Sequence, residues 1–251
     1  VSYVYLEGTN LLSEKLLKAG GKVYKREFFE YDEDSILISK IIDDGIVRSI
    51  TRWKPQKDPA KYGYTMPLEI WEGYGDGKQL KRTLNHYSSL SQIIQQDIYD
   101  ADDNYAYSKK YEYNAHGLVV KQEDALGRVV KYKYDSNDNK ILEETPGKSI
   151  YYTYDKKDRL LDEEVVYSDG TASDKTIYTY DLMGNVCSMT DRYGATMHCF
   201  YDELSRLIKT TDPLGYVENF EYDIADRVIS STDKEGYATY YQYNSFGDPL
   251  K

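Results

Sequence analysis

Hydrophobic and polar residues alternate along short segments of this chain, and each segment ends at a turn-forming residue. Tyr178 and Tyr180 flank Thr179, for example, and Asp181 follows directly. In an extended strand such alternation places the two rings on one face of a sheet. Turn signals recur every 8–12 residues, which is typical of an all-β chain of short antiparallel strands.

The segments form a longer unit, Tyr-x-Tyr-Asp followed by a turn and an aliphatic pair, that repeats down the chain. Its second tyrosine serves as position 0, and the steps between successive markers are 21, 20, 26, 21, 21 and 21 residues. The markers are Tyr113, Tyr134, Tyr154, Tyr180, Tyr201, Tyr222 and Tyr243. A period of this size predicts tandem β-hairpins in one continuous antiparallel sheet.

Position −2 is aromatic in six of the seven units and points to the same face as position 0. Its residues are Tyr111, Tyr132, Tyr152, Tyr178, Cys199, Phe220 and Tyr241. We therefore expect an aromatic stripe across the strands, in which the tyrosines have a structural and not a catalytic role.

Two turns separate the strands of each unit. Position +1 is always Asp or Asn, and Gly recurs at position +14. The aspartates are Asp135, Asp155, Asp181, Asp202 and Asp223, and the glycines are Gly127, Gly194, Gly215 and Gly236. Asx side chains accept backbone N–H groups and start turns, so we interpret them as turn caps. Calcium binding is the alternative, but acids one repeat apart do not converge on one ion.

The turn near position +13 predicts that residue +7 of one unit lies opposite residue −2 of the next. This register pairs Ile208 with Phe220 and Ile229 with Tyr241. It also sets Cys187 opposite Cys199, which permits either a cross-strand disulfide or two free thiols.

The pattern is regular over residues 111–251 and weaker over residues 1–110, where Tyr31 and Tyr87 still precede aliphatic pairs. We expect one continuous repeat domain, with diverged repeats and longer loops in its first part. The segment Leu11–Lys18 is compatible with a helix, although its alignment with the repeats favours a strand.

Composition excludes several functions. The 251 residues include 29 tyrosines and carry a formal net charge of −11, which argues against nucleic acid as a partner. No apolar stretch is long enough to span a membrane as a helix. Two cysteines and three scattered histidines predict no zinc site, and no cofactor motif is present. The chain starts at Val1 without signal-peptide features, so we expect a fragment or a processed product.

Three segments resemble the YD repeats of the Rhs family: Tyr178-Thr-Tyr-Asp-Leu-Met-Gly-Asn-Val, Cys199-Phe-Tyr-Asp-Glu-Leu-Ser-Arg-Leu and Phe220-Glu-Tyr-Asp-Ile-Ala-Asp-Arg-Val. The family includes bacterial polymorphic toxins, the C-component of insecticidal toxin complexes and the teneurins. The resemblance implies a curved, spiralling sheet of hairpins that closes into a shell, of which this chain would be a part.

The resemblance also implies a secreted or cell-surface protein, exported as part of a larger chain. The expected partner is the remainder of that chain or an encapsulated toxin polypeptide. The self-cleaving region and the toxin domain of the family are not matched here, so no catalytic residue is carried over. Unpaired sheet edges would additionally favour self-association.

Two other functions are compatible with the sequence pattern. A surface adhesion module could bind carbohydrate by stacking sugars on exposed tyrosines, although paired rings on one face are more often packing. An enzyme would need paired acids such as Asp162, Glu163 and Glu164, or His116 near Asp124. No nucleophile, metal or phosphate motif surrounds these residues, so we expect no enzymatic activity.

Overall fold

The structure, a computed structural model, contains only β-strands, turns and irregular segments among the residues that it describes. These are residues 1–75, 77–244 and 247–250, and at Ala19 only the backbone is described. The strands are antiparallel, and within each of two compact units a strand pairs with the strands before and after it in sequence. The all-β fold of tandem hairpins is confirmed.

The first unit, Val1–Val130, consists of consecutive hairpins. Its strands are β1 (Ser2–Tyr5), β2 (Leu12–Ala19), β3 (Lys22–Tyr31), β4 (Leu37–Asp43), β5 (Arg48–Pro55), β6 (Pro67–Tyr74), β7 (Lys78–Tyr87), β8 (Ile93–Tyr99), β9 (Tyr105–Tyr113) and β10 (Val119–Glu123). The unit also includes the first two residues of β11 (Val129–Tyr134). The segment that was compatible with a helix is the strand β2.

The second unit, Lys131–Lys251, contains the more regular hairpins. After β11 its strands are β12 (Lys140–Thr145), β13 (Lys148–Tyr154), β14 (Leu160–Tyr167), β15 (Asp174–Tyr180), β16 (Val186–Thr190), β17 (Thr196–Tyr201), β18 (Leu207–Thr211), β19 (Val217–Tyr222), β20 (Val228–Thr232) and β21 (Ala238–Tyr240). The short strands β22 (Gln242–Tyr243) and β23 (Pro249–Leu250) pair separately. The sequence-based boundary at residues 110 and 111 stays a prediction.

Burial alternates along the later residues of β11, β17 and β19, as the sequence pattern requires. In β19 the side chains of Phe220 and Tyr222 are half-buried, while those of Asn219 and Glu221 are exposed. Among the described residues only five apolar side chains are buried: Ile50, Tyr87, Ile98, Leu142 and Ile150. With so small a deep core, much of the stability must come from half-buried rings and from hydrogen bonds between neighbouring strands.

Candidate functional site: the tyrosine and arginine wall

The aspartate at position +1 organises the turn that follows each tyrosine. The Oδ1 atom of Asp202 accepts the backbone N–H groups of Leu204 and Arg206, each at 2.9 Å. The backbone N–H of Asp202 in turn donates to the carbonyl of Arg206 at 3.0 Å, and that of Ser205 donates to the carbonyl of Asp202 at 3.0 Å. One carboxylate oxygen is therefore fully used in closing the turn.

The second turn repeats this geometry in four of the regular units, where it starts at Asp124, Asp191, Asp212 or Asp233. The N–H of Asp212 donates to the carbonyl of Tyr216 at 2.9 Å, and the Oδ1 atom of Asp212 accepts the N–H groups of Leu214 and Tyr216. The predicted glycine, Gly215, adopts a φ of 88°, a left-handed conformation that costs a side-chain-bearing residue free energy. The equivalent Gly127, Gly194 and Gly236 have φ angles of 73°, 82° and 88°.

The tyrosine hydroxyl at position 0 joins neighbouring units. Tyr222 donates to the carbonyl of Leu207 at 2.8 Å, and Tyr180 donates to that of Leu160 at 2.7 Å. Equivalent bonds run from Tyr31 to Leu12 (3.0 Å), Tyr87 to Pro67 (2.7 Å), Tyr113 to Ile93 (2.7 Å), Tyr154 to Lys140 (2.9 Å) and Tyr243 to Val228 (2.8 Å). Each acceptor is the first residue of a strand in the preceding hairpin. The hydroxyl therefore provides a hydrogen-bond donor for a backbone carbonyl of that hairpin.

An arginine at position +5 makes a second connection between units. The Nε atom of Arg206 donates to the Oδ2 atom of Asp202 at 2.7 Å, within its own turn. One of its terminal nitrogens donates to the carbonyl of Asp223 in the next unit at 3.0 Å. Arg159 likewise bonds Asp155 at 2.7 Å and the carbonyl of the next unit's turn aspartate at 3.2 Å.

The same guanidinium groups lie over the position 0 ring of the next unit. The distances from guanidinium carbon to ring centroid are 4.7 Å for Arg159 and Tyr180, 5.0 Å for Arg206 and Tyr222, and 4.8 Å for Arg227 and Tyr243. A cation over a ring is attracted by its quadrupole. The sequence pattern gave no indication of this role for the arginines.

Hydrogen bonds lower the pKa of the turn carboxyls. At Asp155 and Asp223 the arginine side chain contributes most, and the backbone N–H of that arginine adds to it. At Asp202 the backbone N–H of Arg206 is the largest influence. Burial instead raises the pKa of the stripe tyrosines Tyr132, Tyr154 and Tyr178. Neither shift moves a pKa toward 7, where a general acid or base would need to titrate.

A β-bulge occurs at the same place in six of the seven regular hairpins. Phe200 pairs with Lys209 and Tyr201 pairs with Leu207, so Ile208 has no partner of its own. The register shifts in the same way beside Tyr113, Tyr134, Tyr154, Tyr180 and Tyr222. The extra residue is position +7, the second member of the aliphatic pair. Bulges strengthen the local twist of a strand.

The pairing between units agrees with the register expected at position +7. Lys209 lies opposite Asn219, so the same register continued by one residue sets Ile208 opposite Phe220. The N–H of Tyr241 donates to the carbonyl of Ile229 at 2.9 Å.

The two cysteines are free thiols. Ser188 lies opposite His198, and continuing this register sets Cys187 opposite Cys199. Burial raises the pKa of the Cys199 thiol, to which Cys187 adds a smaller contribution.

The aromatic residues at position −2 have more varied surroundings. Tyr111 donates to the side-chain carbonyl of Gln96 at 3.3 Å. The rings of Tyr132 and Tyr152 lie 5.7 and 4.9 Å from the Lys140 ammonium group, which also pairs with Glu143 at 2.7 Å. Lys140 occupies position +6, where the units of Tyr113, Tyr154, Tyr180, Tyr201 and Tyr222 have Val or Leu.

The acids considered for catalysis do not form one cluster. Asp162 accepts the hydroxyl of Thr153 at 2.5 Å and lies 3.3 Å from the Lys175 ammonium group. Glu163 and Glu164 are adjacent along β14 and point to opposite faces. The side chain of Asp124 is bound to Arg128 at 2.7 Å. These contacts describe ordinary strand and turn pairing.

The described part of the chain contains no group of three or more His, Cys, Asp and Glu side chains placed to hold a metal ion. No helix among these residues is long and apolar enough to cross a membrane.

Comparison with known proteins identifies the repeat. The family model for the RHS Repeat matches residues 113–150 and 201–238, and the second range contains the turns at Asp202 and Asp212 and the bond from Tyr222 to Leu207. No curated protein matches the chain.

Two similar solved structures are a TcdB2-TccC3-Cdc42 crystal structure and a crystal structure of TcdB2-TccC3 without its hypervariable C-terminal region. Both have a TM-score of 0.57 and 14% sequence identity, and they cover 92% and 94% of this chain. The chain spans 16% of the length of either matched chain, so the likeness concerns the fold of a segment. Residues 113–150 and 201–238 therefore match Rhs repeats, and the chain shares the fold of the corresponding segment of these solved structures.

Proposed function

We propose that the chain is a non-catalytic wall segment of an Rhs-type shell, which encloses a polypeptide such as a C-terminal toxin domain. The observation that carries the proposal is the repeated contact between units, in which tyrosine hydroxyls reach the preceding hairpin and arginine guanidinium groups reach the next one. These contacts stabilise a sheet of many hairpins without creating a site that differs from the rest.

The use of polar groups supports a structural role. The turn carboxylates accept backbone N–H groups and pair with arginine, as at Asp155 and Asp223. The position 0 hydroxyls donate to carbonyls of the neighbouring hairpin. Groups engaged in this way have little capacity left to activate a nucleophile or to move a proton.

The length of the chain relative to the structures that it resembles also supports the proposal. A chain that matches 16% of a longer chain has the size expected of one segment of a larger wall. The partner is then the remainder of its own longer chain, or the polypeptide that this chain encloses. Export as part of that larger protein, to the cell surface or the medium, follows from the same proposal.

The test uses the longer polypeptide that the proposal requires. Protease is added to the intact protein, and protection of the enclosed segment is followed by mass spectrometry. We expect protection in the native protein and faster cleavage when Arg159, Arg206 and Arg227 are all changed to alanine. A matched control changes three exposed lysines, Lys131, Lys133 and Lys156, to alanine and keeps the protection.

Two results would contradict the proposal. One is a complete gene product that ends at Lys251 with no further repeats, and the other is an enclosed segment that is cleaved as fast as a free peptide. Glycan binding that disappears when exposed tyrosines such as Tyr193 and Tyr237 are changed to serine would favour an adhesion module instead.

A further inference from the structure

Sulfur is concentrated in one hairpin of the second unit. The chain contains two cysteines and four methionines. Both cysteines and two of the methionines lie on β16 and β17, as Cys187, Met189, Met197 and Cys199. The pattern Cys-x-Met on one strand is mirrored by Met-x-Cys on the other.

Strand pairing places these four residues on one face. Met189 lies directly opposite Met197, and Ser188 lies opposite His198. Cys187 is the bulge residue in the pairing of β16 with β15, but continuing the register of β16 with β17 by one residue sets it opposite Cys199. Residues two apart on a strand point to the same side, so all four sulfur side chains share a face and His198 lies on the other.

The spacing suits a shared ion. Directly opposed side chains have Cβ atoms about 4.5–5.5 Å apart, which allows two thiolates to bind one metal ion between them. Methionine has three rotatable bonds and adapts its sulfur to the space available, so either thioether can approach the same ion. All four residues are half-buried, which limits competition from solvent.

Comparison with the other units shows that the cluster departs from the repeat. Positions −4, −2, +7 and +9 of the other regular units contain no sulfur. Position −2 is otherwise aromatic, and position +7 is otherwise Val, Ile or Leu. The aromatic stripe and the turns of the repeat therefore do not explain these four residues. All four differ from the repeat pattern, and they lie together on one hairpin.

We propose that Cys187, Met189, Met197 and Cys199 form a binding site for one soft monovalent metal ion, Cu(I) or its analogue Ag(I). Thiolate and thioether ligands select Cu(I) over the harder divalent ions. Each thiol loses its proton to solvent as it binds the ion. The usual zinc set is not offered here, since His198 is on the opposite face of the hairpin.

The proposal is independent of the wall function and adds to it. A metal ion held by both strands would cross-link β16 to β17, and so join the unit of Tyr180 to the unit of Tyr201. A disulfide between the same cysteines would join the same strands but would require a two-electron oxidant and would leave the methionines without a role.

The test measures binding to the full chain, purified without oxygen and with both thiols reduced. Ag(I), or Cu(I) supplied as its bicinchoninate complex, is titrated and the bound ions are counted by native mass spectrometry. We expect one ion per chain. Cys187→Ser and Cys199→Ser should each weaken binding by more than about tenfold, and the double variant Met189→Leu/Met197→Leu by about tenfold.

Met183→Leu is the matched control, because Met183 lies at an exposed turn of the same unit with 76% of its surface accessible. Its affinity should equal that of the wild type. X-ray absorption of the copper-loaded chain should show only sulfur ligands. Alkylation of the wild-type thiols with iodoacetamide should abolish binding, and this arm does not depend on whether a serine variant folds.

Several outcomes would overturn the proposal. They are the absence of stoichiometric binding, an unchanged affinity after thiol alkylation, and an unchanged affinity in the methionine double variant. A chain that is isolated with Cys187 and Cys199 already bonded to each other in the absence of oxidant would overturn it as well.

Discussion

The guanidinium group of Arg206 lies 5.0 Å from the ring centroid of Tyr222, a residue of the following repeat. The same group bonds the carboxylate of Asp202 in its own turn and the carbonyl of Asp223 in the next. One side chain therefore fixes the position of one turn relative to its neighbour.

Replacing this arginine should destabilise the second unit. We expect Arg206→Ala to lower the urea midpoint of unfolding. Arg206→Lys should lower it by less, because lysine keeps the charge over the ring but loses the planar fork that bonds two acceptors. Circular dichroism during urea titration provides the measurement. Lys156→Ala, in an exposed turn, is the control, and equal midpoints for Arg206→Ala and this control would contradict the assigned contact.

Removing one tyrosine hydroxyl should cost about 1 kcal/mol of unfolding free energy, the usual net value of a hydrogen bond. Tyr222→Phe deletes the donor to the Leu207 carbonyl, at 2.8 Å, while keeping the ring under Arg206. Chemical denaturation measures the change. Tyr237→Phe should have no effect, since the Tyr237 side chain is 74% exposed. A similar loss in both variants would show that the hydroxyl bond is not the cause.

Substitutions at two turn positions should change the stability of the chain in opposite directions. Gly215 has a φ of 88° with open space where a Cβ would lie, so Gly215→Ala should destabilise through backbone strain alone, by about 1 kcal/mol. Ser91 has a φ of 58°, and Ser91→Gly should relieve strain and raise the thermal midpoint. Opposite shifts in thermal unfolding would support the turn geometry, whereas destabilisation by both substitutions would contradict it.

The turn carboxyls should make stability fall in acid. Their pKa values are lower in the folded chain than the ordinary value of 3.8, as at Asp155 and Asp223. The folded state then binds fewer protons than the unfolded state, so their contribution is complete above pH 3.8 and is lost as the pH falls through the folded pKa. Urea midpoints measured between pH 6 and pH 2 should decrease as the pH drops below 3.8. Asp223→Asn should flatten the decline, and an unchanged slope would exclude this carboxyl as a contributor.

Much of the fold could be predicted because its determinants are local. The spacing from Tyr201 to Tyr222 and the Asx residue after each tyrosine are readable from a single sequence, and alternation fixes which face each ring occupies. The pairing of position +7 with position −2 followed from turn length. The same logic placed Cys187 opposite Cys199.

The remaining features depend on contacts between strands, which the residue pattern along a single strand does not specify. Ile208 was recognised as an aliphatic partner but not as the extra residue of a bulge. Its signal was present, because two consecutive apolar residues, Leu207 and Ile208, interrupt strict alternation. The role of Arg206 was missed because its position in the sequence does not show that the side chain reaches the next unit. The sulfur cluster was missed because ligand counting considered cysteine and histidine but not methionine.

The tyrosine hydroxyls and the arginines share one property that bears on how such chains change over evolution. Each reaches from its own unit to the adjoining one, as Tyr222 does to Leu207 and Arg206 does to Asp223. Deleting residues 202–222 would bring Tyr201 directly before Asp223, in the same Tyr-Asp order, and would restore a junction of the same kind. Gene duplication or loss of one whole period therefore preserves the bonding scheme, while a gain or loss of part of a period breaks it.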